Sequence, residues 1–403
     1  MKRQLIFLGI LLLGLCPATA LAAPPRQGEA GQEYVVQADD WLSKIAEKFY
    51  GDPLAFPAIV AATNARAASD QSYMTITDPN LIEIGQKLYI PTAEAAAALA
   101  GPSSTPATFP VTLTNCGLEI SVAAPPQRAV AMNQSAVEIM LALGLQDQMV
   151  GTAYLDDAIL PEFSAAYAQI PALAEEYPSQ EVLFAAEPDF VYGGFGSAFA
   201  EEAAGPRPEL IELGITPYVS PAHCDDTSLR PEKAAMETVY GEIRDIGRIF
   251  GVPERAEALI AGMEADLAEV QAGVAGVEKP LRVLWFDSGV DEALIGAGSG
   301  VPHLIMELAG AENVFADIPG AWETISWEEI VARDADAIVL IDAGWSTAAE
   351  KKALLTGAPA YASLTAIKQD RFITIPFSHA AAGIRNAAAV RLVAEGLYPE
   401  RFQ

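Results

Sequence analysis

Three histidines, His223, His303 and His379, stand among 53 Asp and Glu residues, and imidazole with carboxylate is a ligand set that suits zinc or manganese. None of them lies at the short spacing that a helix or turn uses to bring two ligands to one ion. Ordinary hydrogen bonding is therefore the first reading for each, and direct metal binding through His223, His303 and His379 the second. Arg385 ends the run Pro376-Phe-Ser-His-Ala-Ala-Ala-Gly-Ile-Arg385 and, with His379, offers a grip for an anionic ligand. A surface ion pair is its plainer role. Aromatic residues cluster where strands end: Tyr154, Tyr192 and Phe195 in one half, Trp285 and Trp345 in the other. Ligands of parallel α/β sheets bind at that edge, so the group points to a flat, amphipathic ligand, although any one of these rings is an ordinary core residue.

Catalytic patterns are missing from the sequence. Gly193-Gly-Phe-Gly-Ser197 and Gly296-Ala-Gly-Ser-Gly300 lack the Lys-Ser/Thr of a phosphate loop and the spacing of a dinucleotide fingerprint, and no Gly-x-Ser-x-Gly elbow accompanies them. They read as tight loops at a cleft rim. The expected protein is not an enzyme and holds no cofactor of its own.

The elements that must position these residues follow from composition and pattern. With 403 residues, 51% of them hydrophobic, the chain can bury two or three cores. The formal net charge of −29 excludes a nucleic-acid partner. Residues 1–22 combine a basic start, an apolar run and a small-x-small end, the pattern of a cleaved secretory signal. The apolar run is shorter than the ~20 residues of a spanning helix. Lipidation at Cys16 is a minor reading, because Leu15 precedes it where a small residue is wanted. The protein is expected outside the cytoplasmic membrane, periplasmic or associated with the cell wall.

Residues 33–92 read strand, helix, helix, strand; 93–108 are an Ala/Pro/Ser linker whose first part, from Ala93, has helical character. From 109 onward β-branched runs alternate with helices, the signature of parallel α/β layers: an amino-terminal lobe (109–230), a helical connector (231–279) containing a long backbone helix, and a carboxy-terminal lobe (280–403). An internal repeat supports two related lobes: Ser179-Gln-Glu181 through Asp189 aligns without gaps on Ser326-Trp-Glu328 through Asp336.

Two resemblances add to this. Residues 33–92, through Asn64 and Gly85-Gln-Lys-Leu-Tyr-Ile-Pro91, resemble a LysM module, which implies peptidoglycan binding; its first turn departs from the usual pattern, with Ala38-Asp-Asp-Trp41 in place of Pro-Gly-Asp-Thr. Residues 109–403 resemble the helical-backbone (class III) substrate-binding proteins of ABC importers, which capture ferric siderophores, haem or cobalamin. The motifs are Pro126-Gln-Arg-Ala-Val-Ala-Met-Asn-Gln-Ser135, Leu143-Gly-Leu-Gln-Asp-Gln-Met-Val-Gly-Thr152, Glu187-Pro-Asp-Phe-Val191, Gly247-Arg-Ile-Phe-Gly251 and Ile325-Ser-Trp-Glu328. The resemblance implies two lobes around a shallow cleft, with Asn133, Gln134, Tyr154, Tyr192, Phe195, Trp285, Trp345, His379 and Arg385 as ligand contacts. The implied ligand is a ferric siderophore or related iron chelate, and the implied partners are a membrane permease and its ATPase. Glu181 and Glu328 would dock onto permease arginines. In an oxidising compartment the remaining cysteines, Cys116 and Cys224, read as one bond, and chains of this family that start with Asn-Cys-Gly tend to carry a second cysteine here; the competing reading is two buried free thiols. Metal, haem or cobalamin binding and a structural wall-associated role are the other functional readings.

Overall fold

The computed structural model describes residues 31–37, 40–51, 55–76, 82–99 and 108–402. The expected secretory segment, Cys16 and linker residues 100–107 lie outside them. The chain divides into two compact units, residues 1–102 and 103–403.

In the first unit β1 (Gln32–Val35) and β2 (Lys87–Ile90) pair antiparallel and enclose α1 (Leu42–Tyr50) and α2 (Phe56–Ala67). Ile45, Ile59 and Leu88 are fully buried between them. Asn64 pins the segment after α2, since its amide donates to the Ile76 carbonyl (2.9 Å) and its carbonyl accepts the Ile76 N–H (2.7 Å). The opening of the expected linker is helical, α3 (Ala93–Leu99).

The second unit opens with a hairpin of β3 (Val111–Asn115) and β4 (Leu118–Val122). Cys116 and Gly117 form its two-residue turn, both at positive φ (44° and 74°), the geometry that matches strand twist in a tight hairpin. Cys116 is disulfide-bonded to Cys224, 108 residues on. The first lobe follows as β5 (Ala129–Met132), α4 (Gln134–Ala142), β6 (Met149–Ala153), α5 (Ser164–Tyr167), β7 (Ala172–Ala174), α6 (Gln180–Ala185), β8 (Phe190–Gly193), α7 (Arg207–Glu212) and β9 (Thr216–Val219). Its sheet is parallel throughout, in the order β7-β6-β5-β8-β9. Next come α8 (Met236–Ile249) and α9 (Pro253–Val274). Gly251, at φ 72°, ends the first of these, and Pro253 starts the second.

The second lobe comprises β10 (Arg282–Ser288), β11 (Ala293–Gly296), α10 (Val301–Leu308), β12 (Glu312–Asn313), β13 (Trp322–Ile325), α11 (Trp327–Arg333), β14 (Ala337–Asp342), α12 (Ala348–Gly357), α13 (Thr365–Lys368), β15 (Phe372–Pro376) and α14 (Asn386–Leu397). Its sheet runs β13-β11-β10-β14-β15, with β12 beside β10. This sheet is mixed rather than wholly parallel as the sequence suggested. A short turn at Gly289, φ 103°, folds β11 back antiparallel on β10, and β13 joins β11 the same way. The repeat seen in the sequence has a structural counterpart. Asp189 accepts the Gln127 and Arg128 N–H groups (2.8 and 2.9 Å) and Asp336 accepts that of Arg282 (3.0 Å), each fixing the start of the neighbouring central strand.

One helix touches both lobes. The 22 residues of α9 span about 33 Å at 1.5 Å per residue. Near its start Arg255 donates to the carbonyls of Leu143 and Gly144 (3.2 and 3.3 Å); at its end Arg401 donates to those of Gly273 and Ala275 (3.3 and 3.0 Å). A single apolar core runs through both lobes and the connector, taking in Phe190, Ile243, Ile260, Trp285 and Val339.

Within this core α8 carries Glu242, fully buried, which accepts hydrogen bonds from the Tyr192 hydroxyl (2.5 Å) and the Ser220 hydroxyl (2.7 Å). Burial pushes its carboxyl up from 4.5 to about 7, against the pull of those two hydroxyls. The native state therefore holds a proton that the unfolded chain releases. This contribution to stability is complete below pH 4.5 and is lost as pH rises through about 7, a swing of about 3 kcal/mol. Glu242→Gln is expected to flatten the pH dependence of urea unfolding between pH 5 and 8 relative to wild type. Parallel profiles for the two proteins would show that the carboxylate is ionised in the native state.

Candidate functional site

The first sheet changes winding direction at β5, with β6 on one side and β8 on the other; ligands of doubly wound sheets bind at such a place, beyond the carboxyl ends of the strands. A cavity of about 530 Å³ lies between the lobes, on the β8–β9 side of this point. The first lobe contributes the loop after β8 (Phe195, Gly196, Ser197) and the loop after β9 (Ala222, His223, Asp225). Arg230, at the end of the first lobe, and Pro231, Ala234, Ala235, Thr238 and Val239 of the connector supply another side. The second lobe closes the cavity with Ser299, Val301, Leu304 and Trp322, and with Ala380, Ala382 and Asn386. Both Gly-rich loops noted in the sequence contribute to its lining. Gly196 is required because any Cβ would collide with the Asp225 carboxylate, and Gly298 and Gly300 because Ala316 and Ala321 pack against their backbones. That packing brings the amino end of α10, with its partial positive charge, to the cavity wall.

Both lobes contribute rings to the lining. The Phe195 and His223 rings lie 4.4 Å apart at 39°, and Trp322 faces in from the other lobe's lining. Burial, assisted by the positive charge of Arg230, drives the His223 imidazole down to about 4, so the ring is neutral at pH 7. Its Nε2 is buried without a hydrogen-bond partner among the described residues. Arg230 donates its Nε–H to the Cys224 carbonyl (2.6 Å). Asn115 secures the same region, bonding both the N–H and the C=O of Val219 (2.9 and 2.8 Å). The hairpin thus fixes the cavity loop through Asn115 side-chain bonds as well as through the disulfide.

Of the nine expected ligand contacts, Phe195 lines this cavity. Tyr192 and Trp285 are corrections: both are 0% exposed, inside strands and turned to the core. Arg385 is a second correction. It forms a buried two-pronged pair with Glu138 of the first lobe (2.7 and 2.5 Å) and also donates to the Ala158 carbonyl (2.7 Å), so its charge is spent. Gln134 is buried and supports that pair, donating to Glu138 at 2.9 Å. Asn133 is buried at φ 72° and bonds the Tyr177 hydroxyl (3.0 Å), while Tyr154 packs edge-on against Tyr177 at 4.6 Å. Trp345 is 60% exposed and packs edge-on against Phe377. His379 is buried, held neutral with its ionisation pushed down to about 4 by burial and by Arg385.

The three histidines, the alternative metal ligands, lie in separate surroundings. His223 stacks on Phe195, His303 sits near Glu307 (3.9 Å), and His379 lies beside Arg385; among the described residues no three His, Cys, Asp or Glu side chains gather as a metal site. Glu181 and Glu328 are exposed in the first turns of α6 and α11, on helices whose amino ends are capped by Ser179 and Ser326. Trp322, Asp225 and Arg230 were not singled out as contacts in the sequence. Arg230 is the one Lys or Arg between Arg207 and Lys233, in a loop bounded by Pro221 and Pro231, and that isolation was the available signal.

Similar proteins share this architecture. An uncharacterized ABC transporter substrate-binding lipoprotein of Bacillus subtilis (strain 168) is 24% identical over 299 residues, which are 73% of this chain and 88% of that protein. A periplasmic binding protein from Veillonella parvula superposes with a TM-score of 0.65 at 28% identity, covering 73% of this chain and 99% of that one. A structure titled as an ABC-type Fe3+-hydroxamate transport system, from Saccharomonospora viridis, gives 0.60 at 26% identity, covering 72% and 99%. The profile of the family described as Periplasmic binding protein matches residues 130–378, and with both lobes, the spanning helix and the cleft inside or beside that match, the chain belongs to this family.

Proposed function

We propose that the protein is the extracytoplasmic substrate-binding component of an ABC importer, capturing a ferric siderophore or a related iron chelate and delivering it to a permease and its ATPase. The observation that carries this reading is the cavity between two α/β lobes, lined by Phe195 and His223, whose rings stack, on one side and by Trp322 on the other. Its size and mostly apolar lining suit a bulky chelate better than a bare ion. The Fe3+-hydroxamate assignment of the Saccharomonospora relative supports the ligand class. Tyr154 and the exposed Trp345 are contacts for the outer part of a large ligand, and Glu181 and Glu328 are the docking carboxylates. The secretory segment places the protein beyond the membrane, and the unit at 33–92, with Trp41 56% exposed, tethers it to peptidoglycan.

Titration of the purified full chain with ferric siderophores, haem, cobalamin and zinc, followed by tryptophan fluorescence, tests the ligand class. Reversible quenching by an iron chelate at micromolar concentration or below is expected. Tight zinc binding with no response to any chelate would overturn it.

A further inference from the structure

Outside the cavity, exposed Trp345 and half-buried Phe377 form an aromatic corner on the second lobe, just past the ends of β14 and β15, with their rings edge-on at 4.8 Å. Ser378, the next residue, donates its N–H to Asp157 of the first lobe (2.8 Å), so the corner stands at the rim of the cleft. Trp345 sits in a two-residue turn, Gly344-Trp345, closed by mutual backbone bonds between Ala343 and Ser346 (3.2 and 3.1 Å). Lys351 braces this turn: it is 3% exposed, and its ammonium donates to the carbonyls of Ile341 and Ser346 (both 2.5 Å), one on each side of the turn. A lysine is out of place there. It lies in the opening turn of α12, whose amino end already carries partial positive charge, and burial pulls its ionisation down despite the nearby carboxylates of Asp287 and Asp342. The helix does not need it, since the capping box of Thr347 and Glu350 satisfies that end.

From this placement we infer that Lys351 is a positioning residue for ligand binding: by bonding both sides of the Gly344-Trp345 turn it fixes the indole at the cleft rim, ready for the outer part of the chelate. The inference rests on the reading of Trp345 as an outer contact and adds the group that holds it. An exposed ring on a glycine-containing turn loses conformational freedom when a ligand settles on it, and a turn ordered in advance removes that loss from the binding step. The cost falls on the fold instead. An ammonium has left water for two carbonyl oxygens and the nearby Asp287, itself 7% exposed.

Calorimetric titration of the full chain with ferrichrome, ferric enterobactin and haem identifies the tightest of the three, which then serves as the probe. Trp345→Ala is expected to weaken its binding about tenfold, and Lys351→Met about threefold to tenfold. The double variant is decisive. If Lys351 acts through the indole, adding Lys351→Met to Trp345→Ala changes affinity by no more than about twofold. A lysine that serves only the fold would lower the melting temperature and leave the affinity of the folded variant unchanged, and that result overturns the inference. So does an equal loss in both backgrounds, or unchanged binding by Trp345→Ala; in each of these cases wild type still binds its probe and the iron-chelate reading stands. Should Lys351→Met not fold, Lys351→Gln, which keeps a donor, is expected to show the same pattern. If wild type binds none of the three, both fall.

Discussion

Arg385→Ala is expected to lower the unfolding free energy by about 3–5 kcal/mol, the penalty for stranding a buried charge. Glu138 and Arg385 are 1% and 6% exposed, and they bond through two N–H···O contacts of 2.7 and 2.5 Å. Removing the guanidinium leaves the Glu138 carboxylate with Gln134 and the Leu160 N–H (2.9 and 3.2 Å) in an apolar core, too little to replace a cation. The pair also joins the lobes, because Glu138 lies on α4 and Arg385 immediately precedes α14. Urea unfolding of the single mutant gives the measurement. A companion, Glu138→Leu with Arg385→Met, distinguishes charge stranding from lost volume: with neither charge present, the double variant should recover most of the stability. A single mutant within 1 kcal/mol of wild type would mean that the carboxylate is already neutral or hydrated.

This pair also shows what a sequence can and cannot disclose. Arg385 and Arg230 are alike in type and each stands in a plausible loop, but whether an arginine is free depends on a partner, and for Arg385 that partner lies 247 residues away. Of the five aromatics read as a group at strand ends, Phe195 lines the cavity and the other four do not. Tyr192 is the third residue of β8, still within the ladder, so the sheet sends it inward to Glu242; Phe195, two residues past the strand, escapes the ladder and reaches the cavity. Likewise Trp285 lies mid-strand in β10 and joins the core. The long strands were readable because buried parallel strands are continuous apolar runs such as Ala337-Ile-Val-Leu-Ile341. By contrast, β7 has three residues and β13 alternates nothing, its pattern being half-buried at both ends and exposed between, so neither gave a periodic signal. Cys116 and Cys224 were pairable because so few cysteines left little choice.

Reversing both Glu181 and Glu328 to arginine is expected to abolish ligand-stimulated transport by the reconstituted importer, with ligand affinity within about twofold of wild type. The argument starts from how the two helices are capped. Ser179 accepts the Val182 N–H (3.4 Å) and Ser326 accepts the Glu329 N–H (3.3 Å), so each amino terminus keeps its cap when the neighbouring glutamate is changed. What the glutamates add to the folded chain is dipole complementation, a few tenths of a kcal/mol each. In α11 the contrast is internal. Glu329 is engaged by Arg333 (2.8 Å), whereas Glu328, one residue before it, makes no hydrogen bond or ion pair among the described residues. Glu181 in α6 is equally unengaged, and it occupies the matching position of the repeat. Two exposed carboxylates at equivalent places on two lobes suit a partner whose two subunits repeat the same basic site, and arginines placed there would repel it twice. Either single reversal should give a partial loss, since one correct contact remains. Transport and melting temperature are read on the same preparations: normal transport by the double mutant would reduce both residues to helix-end charges, and a large fall in melting temperature would show that they serve the fold.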